Sequence, residues 1–94
     1  METPREIPPE QSLITYPTHF PIKVMGANVE GFAEAIVRIV LNFDPDFDAS
    51  TVEQRPSKAG NYMGLTVSVR VTSREQLDEV YRTLTSHPMV KVVL

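Results

Sequence analysis

The chain has 94 residues, no cysteine and a formal charge of −3. That is room for one domain with one modest core, it rules out disulfide and thiolate chemistry, and it argues against a general nucleic-acid binder, which would carry a basic stripe. Eight prolines against four glycines collect at the N-terminus and at element boundaries, where a missing N–H costs least.

Residues 1–18 set Glu2, Glu6 and Glu10 among Pro4, Pro8, Pro9 and Pro17. Such a segment buries too little apolar surface to offset the entropy of ordering it, so it reads as a flexible, proline-rich acidic arm. Leu13, Ile14 and Tyr16 are the residues that could pin its end to the domain. Met1 to Gln11 lacks the apolar core of an export signal, which predicts a cytoplasmic protein. No run approaches the about 18 to 20 apolar residues of a membrane span.

The domain itself is expected over 19–94. Phe20 to Met25 alternates Phe20, Ile22 and Val24 against Pro21, Lys23 and Met25, a short strand with Pro21 at its beginning. Asn28 is a candidate helix cap, and Val29, Phe32, Ala33, Ile36, Val40 and Phe43 recur at three and four residues, the stripe of a helix of about four turns. Val37, Ile39 and Leu41 widen that stripe, which predicts a deeply packed helix. Pro45 stops it, in a turn whose Asp44, Asp46 and Asp48 are expected to be solvated. Ser50 to Arg55 reads as an edge strand with one apolar residue, Val52.

After a loop over Pro56 to Asn61, with Gly60 or Asn61 at positive φ, comes the strongest pattern in the chain. Met63, Leu65, Val67, Val69 and Val71 alternate with Tyr62, Gly64, Thr66, Ser68, Arg70 and Thr72, the signature of a central strand. At Ser73 the period changes. Ser73 and Gln76 form a capping box, and Leu77, Val80, Tyr81 and Leu84 make the stripe of a second helix that His87 and Pro88 close. Met89 to Leu94 reads as a last strand, with Val90, Val92 and Leu94 toward the core and Met89, Lys91 and Val93 away from it.

The order β-α-β-β-α-β with two right-handed crossovers predicts an α+β, ferredoxin-like sandwich: a four-stranded antiparallel sheet in the order 4-1-3-2 with both helices on one face. The other face is left open. Met25, Thr66, Ser68, Arg70, Lys91 and Val93 are expected on it, with Tyr62 at its rim.

Several blocks in this order carry a family resemblance: Tyr16-Pro17; Phe20-x-Ile22-Lys23-Val24-Met25-Gly26; Arg55-Pro56-Ser57-Lys58 with Gly60-Asn61-Tyr62; Ser73-x-x-Gln76-Leu77 with Tyr81-x-x-Leu84; and His87-Pro88-x-Val90-Lys91-x-Val93-Leu94. The chain resembles the YbeD-like family of small bacterial proteins over essentially everything after the arm. The resemblance implies a ferredoxin-like domain similar to ACT regulatory domains, which bind small effectors at subunit interfaces. Where relatives commonly carry leucine and serine after the tyrosine of the central strand, this chain has Met63 and Gly64.

Candidate sites are sparse. Asp44, Asp46 and Asp48 match the first three ligands of a calcium loop, but the sixth place is Ala49 and the twelfth Arg55, so the motif fails. His19 and His87 are far apart without a third ligand at zinc spacing, and His87 is expected to interact with the end of the second helix. No catalytic constellation, metal site or cofactor motif stands out. Ser57-Lys58-Ala59-Gly60 could hold an anion, with Arg55 and Lys58 as a basic spot. An RNA-binding reading rests on Tyr62 in the third strand and lacks the further aromatic rings of a stacking platform.

The expectation is therefore a non-enzymatic regulatory domain that binds a small molecule or anion through Arg55, Lys58, Tyr62 and Arg70. The alternative is a protein–protein interaction or assembly module, with an RNA-binding domain third. Met89, Lys91 and Val93 are the candidate homodimer edge.

Overall fold

A computed structural model describes residues 15–94. Strand β1 (Thr18–Ala27) leads to helix α1 (Phe32–Phe43). A single 3-10 turn (Ala49–Thr51) and strand β2 (Glu53–Pro56) follow, then β3 (Tyr62–Val71), helix α2 (Arg74–Thr85) and β4 (Val90–Val93). The strands form one sheet in the order β2-β3-β1-β4. Every pairing is antiparallel, the arrangement of a ferredoxin-like βαββαβ sandwich.

The alternation in β1 and β3 decides which side is dry. Ile22, Val24, Leu65, Val67, Val69 and Val71 are fully buried on the helix side, where they meet Phe32, Ile36 and Val40 of α1 and Leu77, Val80 and Leu84 of α2. Each such side chain contributes about 1.5 to 3 kcal/mol by leaving water. Of the arm expected over 1–18, everything up to position 14, including Leu13 and Ile14, lies outside the described residues. Tyr16 packs against the core, and Thr18 already begins β1.

Pro21 is thus inside a strand and not at its start. Lys23 N–H donates to the Leu94 carbonyl at 3.0 Å, so by alternation the nitrogen of Pro21 also points toward the β4 side. Strand β4, Val90–Val93, does not extend opposite it, so the missing donor interrupts no strand pairing. Gly26 is needed for close approach: a Cβ at this position would meet the Met89 carbonyl and lie 2.7 and 2.8 Å from the Phe32 ring.

Asn28 does not cap α1. Gly31 does, at φ 89° and without a side-chain bond, and Val29 is exposed ahead of the helix. Asn28 instead ties two loops together: its Nδ2 donates to the Gly60 carbonyl at 3.0 Å and its N–H to the Asn61 carbonyl at 2.9 Å. The rotation of α1 leaves Leu41 39% exposed and Val37 half-buried, so the helix is not packed all round.

Asp44, expected in solvent, is only 6% exposed. The edge strand accounts for this. β2 pairs with β3 no further than Glu53 opposite Thr66, which leaves the rest of that β3 edge without a strand neighbour. The Asp44 carboxylate covers it, its Oδ2 accepting from Arg70 N–H at 3.1 Å. β2 itself begins at Glu53, later than expected, because residues 49–51 turn around Asp48, whose carboxylate accepts from Ser50 N–H and Oγ–H.

The capping box of α2 is half realised. Ser73 Oγ accepts from Gln76 N–H at 3.1 Å, but Gln76 Oε1 accepts from Thr72 N–H at 2.7 Å and from the Thr72 hydroxyl. Beyond the helix, His87 Nδ1 accepts from Met89 N–H at 3.1 Å, shaping the turn into β4.

The last strand departs from simple alternation. Val93 lies opposite Val24 and Val90 opposite Gly26, whereas Val92 lies opposite Met25, and the register shifts between Met25 and Gly26. An extra residue in a β-bulge is what lets Val90 and Val93, three apart, face the same side. Val93, expected on the open face, therefore packs against the core. Val92 and Leu94, expected in the core, are 45% and 65% exposed.

Candidate functional site

The register sets out the open face in rows across the sheet. One row runs Glu53, Thr66, Lys23, with Leu94 exchanging both backbone hydrogen bonds with Lys23 at 2.8 and 3.0 Å; the next runs Arg55, Gly64, Met25, Val92. Strands lie about 4.8 Å apart, so Glu53 and Lys23 stand roughly 10 Å apart on either side of Thr66. At the end of the sheet the β2–β3 hairpin turns up with Tyr62, which is 49% exposed.

These rows enclose a concavity of about 750 Å³ whose lining includes Lys23, Met25, Glu53, Arg55, Tyr62 and Leu94. Gly64 is its floor. A Cβ there would find the Arg55 carbonyl at 3.5 Å and Met25 Cγ at 4.0 Å, ordinary contacts, so the hollow exists because a side chain is missing and not because the backbone forbids one. Two cations, one carboxylate, hydroxyls from Thr66 and Ser57 and apolar walls from Met25, Pro56 and Leu94 converge on it. Charged and polar groups set beside apolar walls are what a small-molecule site uses to orient and hold a ligand.

The four recognition residues expected from sequence do not converge. Arg55 and Tyr62 line this concavity, but Lys58 sits in the hairpin loop and is not part of the lining. That loop also spends N–H groups on itself: Ser57 donates to the Tyr62 carbonyl, Gly60 to the Ser57 carbonyl and Tyr62 to Ser57 Oγ. Gly60 takes the positive φ, 82°.

Arg70 lies at the far end of the open face, directly across from His19 on β1, in a separate hollow of about 350 Å³ with Ser68, Asp44, Asp46 and Asp48. Met89 and Val93 pack against the core, while Lys91 is exposed beside the bulge.

Sequence reading missed Lys23, Glu53, Thr66 and Leu94 as site residues. For Lys23, Glu53 and Thr66 the signal was the phase of each strand, which places them on the open side, but which of them meet depends on register; Leu94 reaches this face only through the bulge in β4. For the RNA reading, Gly64 and Met25 are the neighbours of Tyr62 on this face and supply no second ring.

The perturbed titrations lie elsewhere. Hydrogen bonds from the Ser50 side chain and then its backbone hold the Asp48 carboxyl below its usual value. Burial pushes the Tyr81 phenol up. Arg82 is raised further by its bond to Glu79, an ion pair 2.6 Å long. None of the three borders the concavity. Among the described residues no group of three or more histidine, aspartate and glutamate side chains is arranged to hold a metal ion. No helix among them is long and apolar enough to cross a membrane.

A family model described as "Protein of unknown function (DUF493)" matches residues 11–94. A UPF0250 protein of Leptothrix cholodnii is 68% identical over 90 residues, covering 96% of this chain and 99% of that protein. A UPF0250 protein of Bordetella parapertussis is 64% identical over 88 residues, covering 94% and 97%. One from Ralstonia nicotianae is 64% identical over 87 residues, covering 93% and 90%. The names of these relatives carry no activity.

Proposed function

Since the chain belongs to the DUF493 family, the UPF0250 or YbeD-like proteins, we propose that it is a cytoplasmic, non-enzymatic regulatory domain whose open sheet face binds a small anionic molecule with an apolar body. The observation that carries this reading is the concavity floored by Gly64, with Lys23 and Arg55 on two different strands and Met25, Pro56 and Leu94 as walls. A carboxylate or phosphate would pair with the two cations, and the rest of the ligand would cover the apolar walls. Glu53 favours ligands that also carry a donor or positive charge. The likeness to ACT domains supports the reading at the level of fold alone.

A thermal-shift screen with short-chain carboxylic acids, amino acids and phosphorylated metabolites tests it, because a ligand at about one hundred times its Kd stabilises by about 2.7 kcal/mol. A hit is expected to lose at least tenfold in affinity on Lys23→Ala and on Arg55→Ala. Stabilisation by no compound, or a hit indifferent to both substitutions, overturns the reading. The assembly reading has its own observation, the apolar exposure of Val92 and Leu94 beside the β4 edge. Capture of a protein partner that is lost on Val92→Asp, with no small-molecule hit, would favour it.

A further inference from the structure

We infer that the outer edge of β2 and the adjoining face of α1 form a two-fold interface with a second copy of this chain, the β2 strands pairing antiparallel about Gln54. All four residues of β2 are exposed, and its backbone pairs with β3 on one side only. Ser57 N–H donates to the Tyr62 carbonyl across that side, with Arg55 opposite Gly64 and Glu53 opposite Thr66. Alternation therefore turns the N–H and C=O of Gln54 outward, a complete donor and acceptor on a strand edge.

The charges choose the occupant. In an antiparallel pair centred on Gln54, each Glu53 falls opposite the other copy's Arg55, and the two Gln54 residues exchange both of their backbone bonds on the axis. Unlike charges directly across a strand pair attract, and like charges repel. Glu53-Gln54-Arg55 thus matches itself in that one register; a slip of one residue sets Glu53 against Gln54 in one direction and against Pro56 in the other, and either loses both ion pairs. Pro56 then faces Val52 of the second copy, where its missing donor limits the pairing to the central bonds.

The helix side of the same edge matches this arrangement. Ala33, Val37 and Leu41, each four residues apart on α1, border a hollow of about 430 Å³ with Val52 and Gln54. Leu41 is the exposed end of that stripe. A two-fold copy extends the sheet to eight strands and brings its own α1 stripe antiparallel against this one, burying both. The opposite edge, β4, is interrupted by the bulge at Met25/Gly26, a device that blunts edge pairing. The inference does not rest on the ligand reading: Lys23 lies on an inner strand, away from this edge.

The test is sedimentation velocity on the full chain from about 1 to 100 μM. Wild type is expected to reach twice the chain mass within that range. Glu53→Arg and Arg55→Glu each raise the dissociation constant tenfold or more, and the double exchange Glu53→Arg with Arg55→Glu recovers most of that loss. Gln54→Pro, which removes the outward N–H while sparing the bonds to β3, weakens association as strongly. Circular dichroism and the melting temperature of each variant establish that it is folded; should one reversal fail this control, Gln54→Pro and Leu41→Gln decide the matter. A monomer at the highest concentration, a dimer indifferent to these substitutions, or a double exchange no better than the single ones overturns the inference. Failure of this test leaves the Lys23→Ala ligand test standing, and the converse holds.

Discussion

The inner strands β1 and β3 run ten residues each, whereas the outer strands β2 and β4 run four each. The inner pair keeps one register from Thr18 opposite Val71 to Ala27 opposite Tyr62; β4 slips at a bulge, and β2 pairs along β3 no further than Glu53 opposite Thr66. The difference follows from burial. A one-residue slip in β3 would turn four fully buried side chains, Leu65, Val67, Val69 and Val71, to the open face, so register there is heavily penalised. In β4 the apolar residues Val90, Val92, Val93 and Leu94 offer two faces of similar polarity, and packing can choose either. The inner strands hold the fold together, and the outer ones are where surface chemistry can vary.

Substitutions can break that contrast or sharpen it. The largest separation is expected between Leu65→Ala, which opens a cavity under a fully buried side chain and should cost about 2 to 5 kcal/mol, and Val92→Ala on the open face, which should cost within about 0.5 kcal/mol. Urea denaturation measures both, and equal losses would mean that the outer strand is as tightly bound into the core as the inner one. Next comes a pair of glycines on neighbouring inner strands. Gly26→Ala drives a methyl into the Met89 carbonyl and the Phe32 ring and should cost about 1 to 3 kcal/mol. Gly64→Ala meets only ordinary contacts and should leave the melting temperature nearly unchanged while filling part of the concavity.

The smallest separation is expected between two variants at the stretch of β3 that β2 leaves uncovered. Asp44→Ala strands the Arg70 N–H and should cost about 1 to 3 kcal/mol, whereas Asp44→Asn keeps an acceptor and should lose less. Hydrogen exchange at the Arg70 amide reads the difference directly. Faster exchange is expected in the alanine variant, and unchanged protection would show that the carboxylate is not what shields this edge.

Much of this architecture was legible because the relevant signals are local. The alternation of Met63 to Val71, the Ser73 cap and the stripe Leu77, Val80, Leu84 each state their structure within a few residues, and the crossover rule then orders the strands. The candidate site was only half legible. Arg55 and Tyr62 reach the concavity, but Arg70 stands three rows along the same strand from Gly64, in a different hollow, and Lys58 is held away in the hairpin loop. Asn28 and Asp44 misled for a common reason: each is a good local cap or turn residue whose side chain is claimed by a backbone group distant in sequence, the Gly60 carbonyl and the Arg70 N–H.

By itself, then, the sequence determined the elements, their order and the dry side of the two long strands, because hydrophobic periodicity acts over one or two turns and needs no partner. Only the tertiary structure decided which edge is bulged, which carboxylate is buried and which residues of the open face stand side by side. Those depend on where one strand stops against another, and a chain carries no local record of where its neighbour ends.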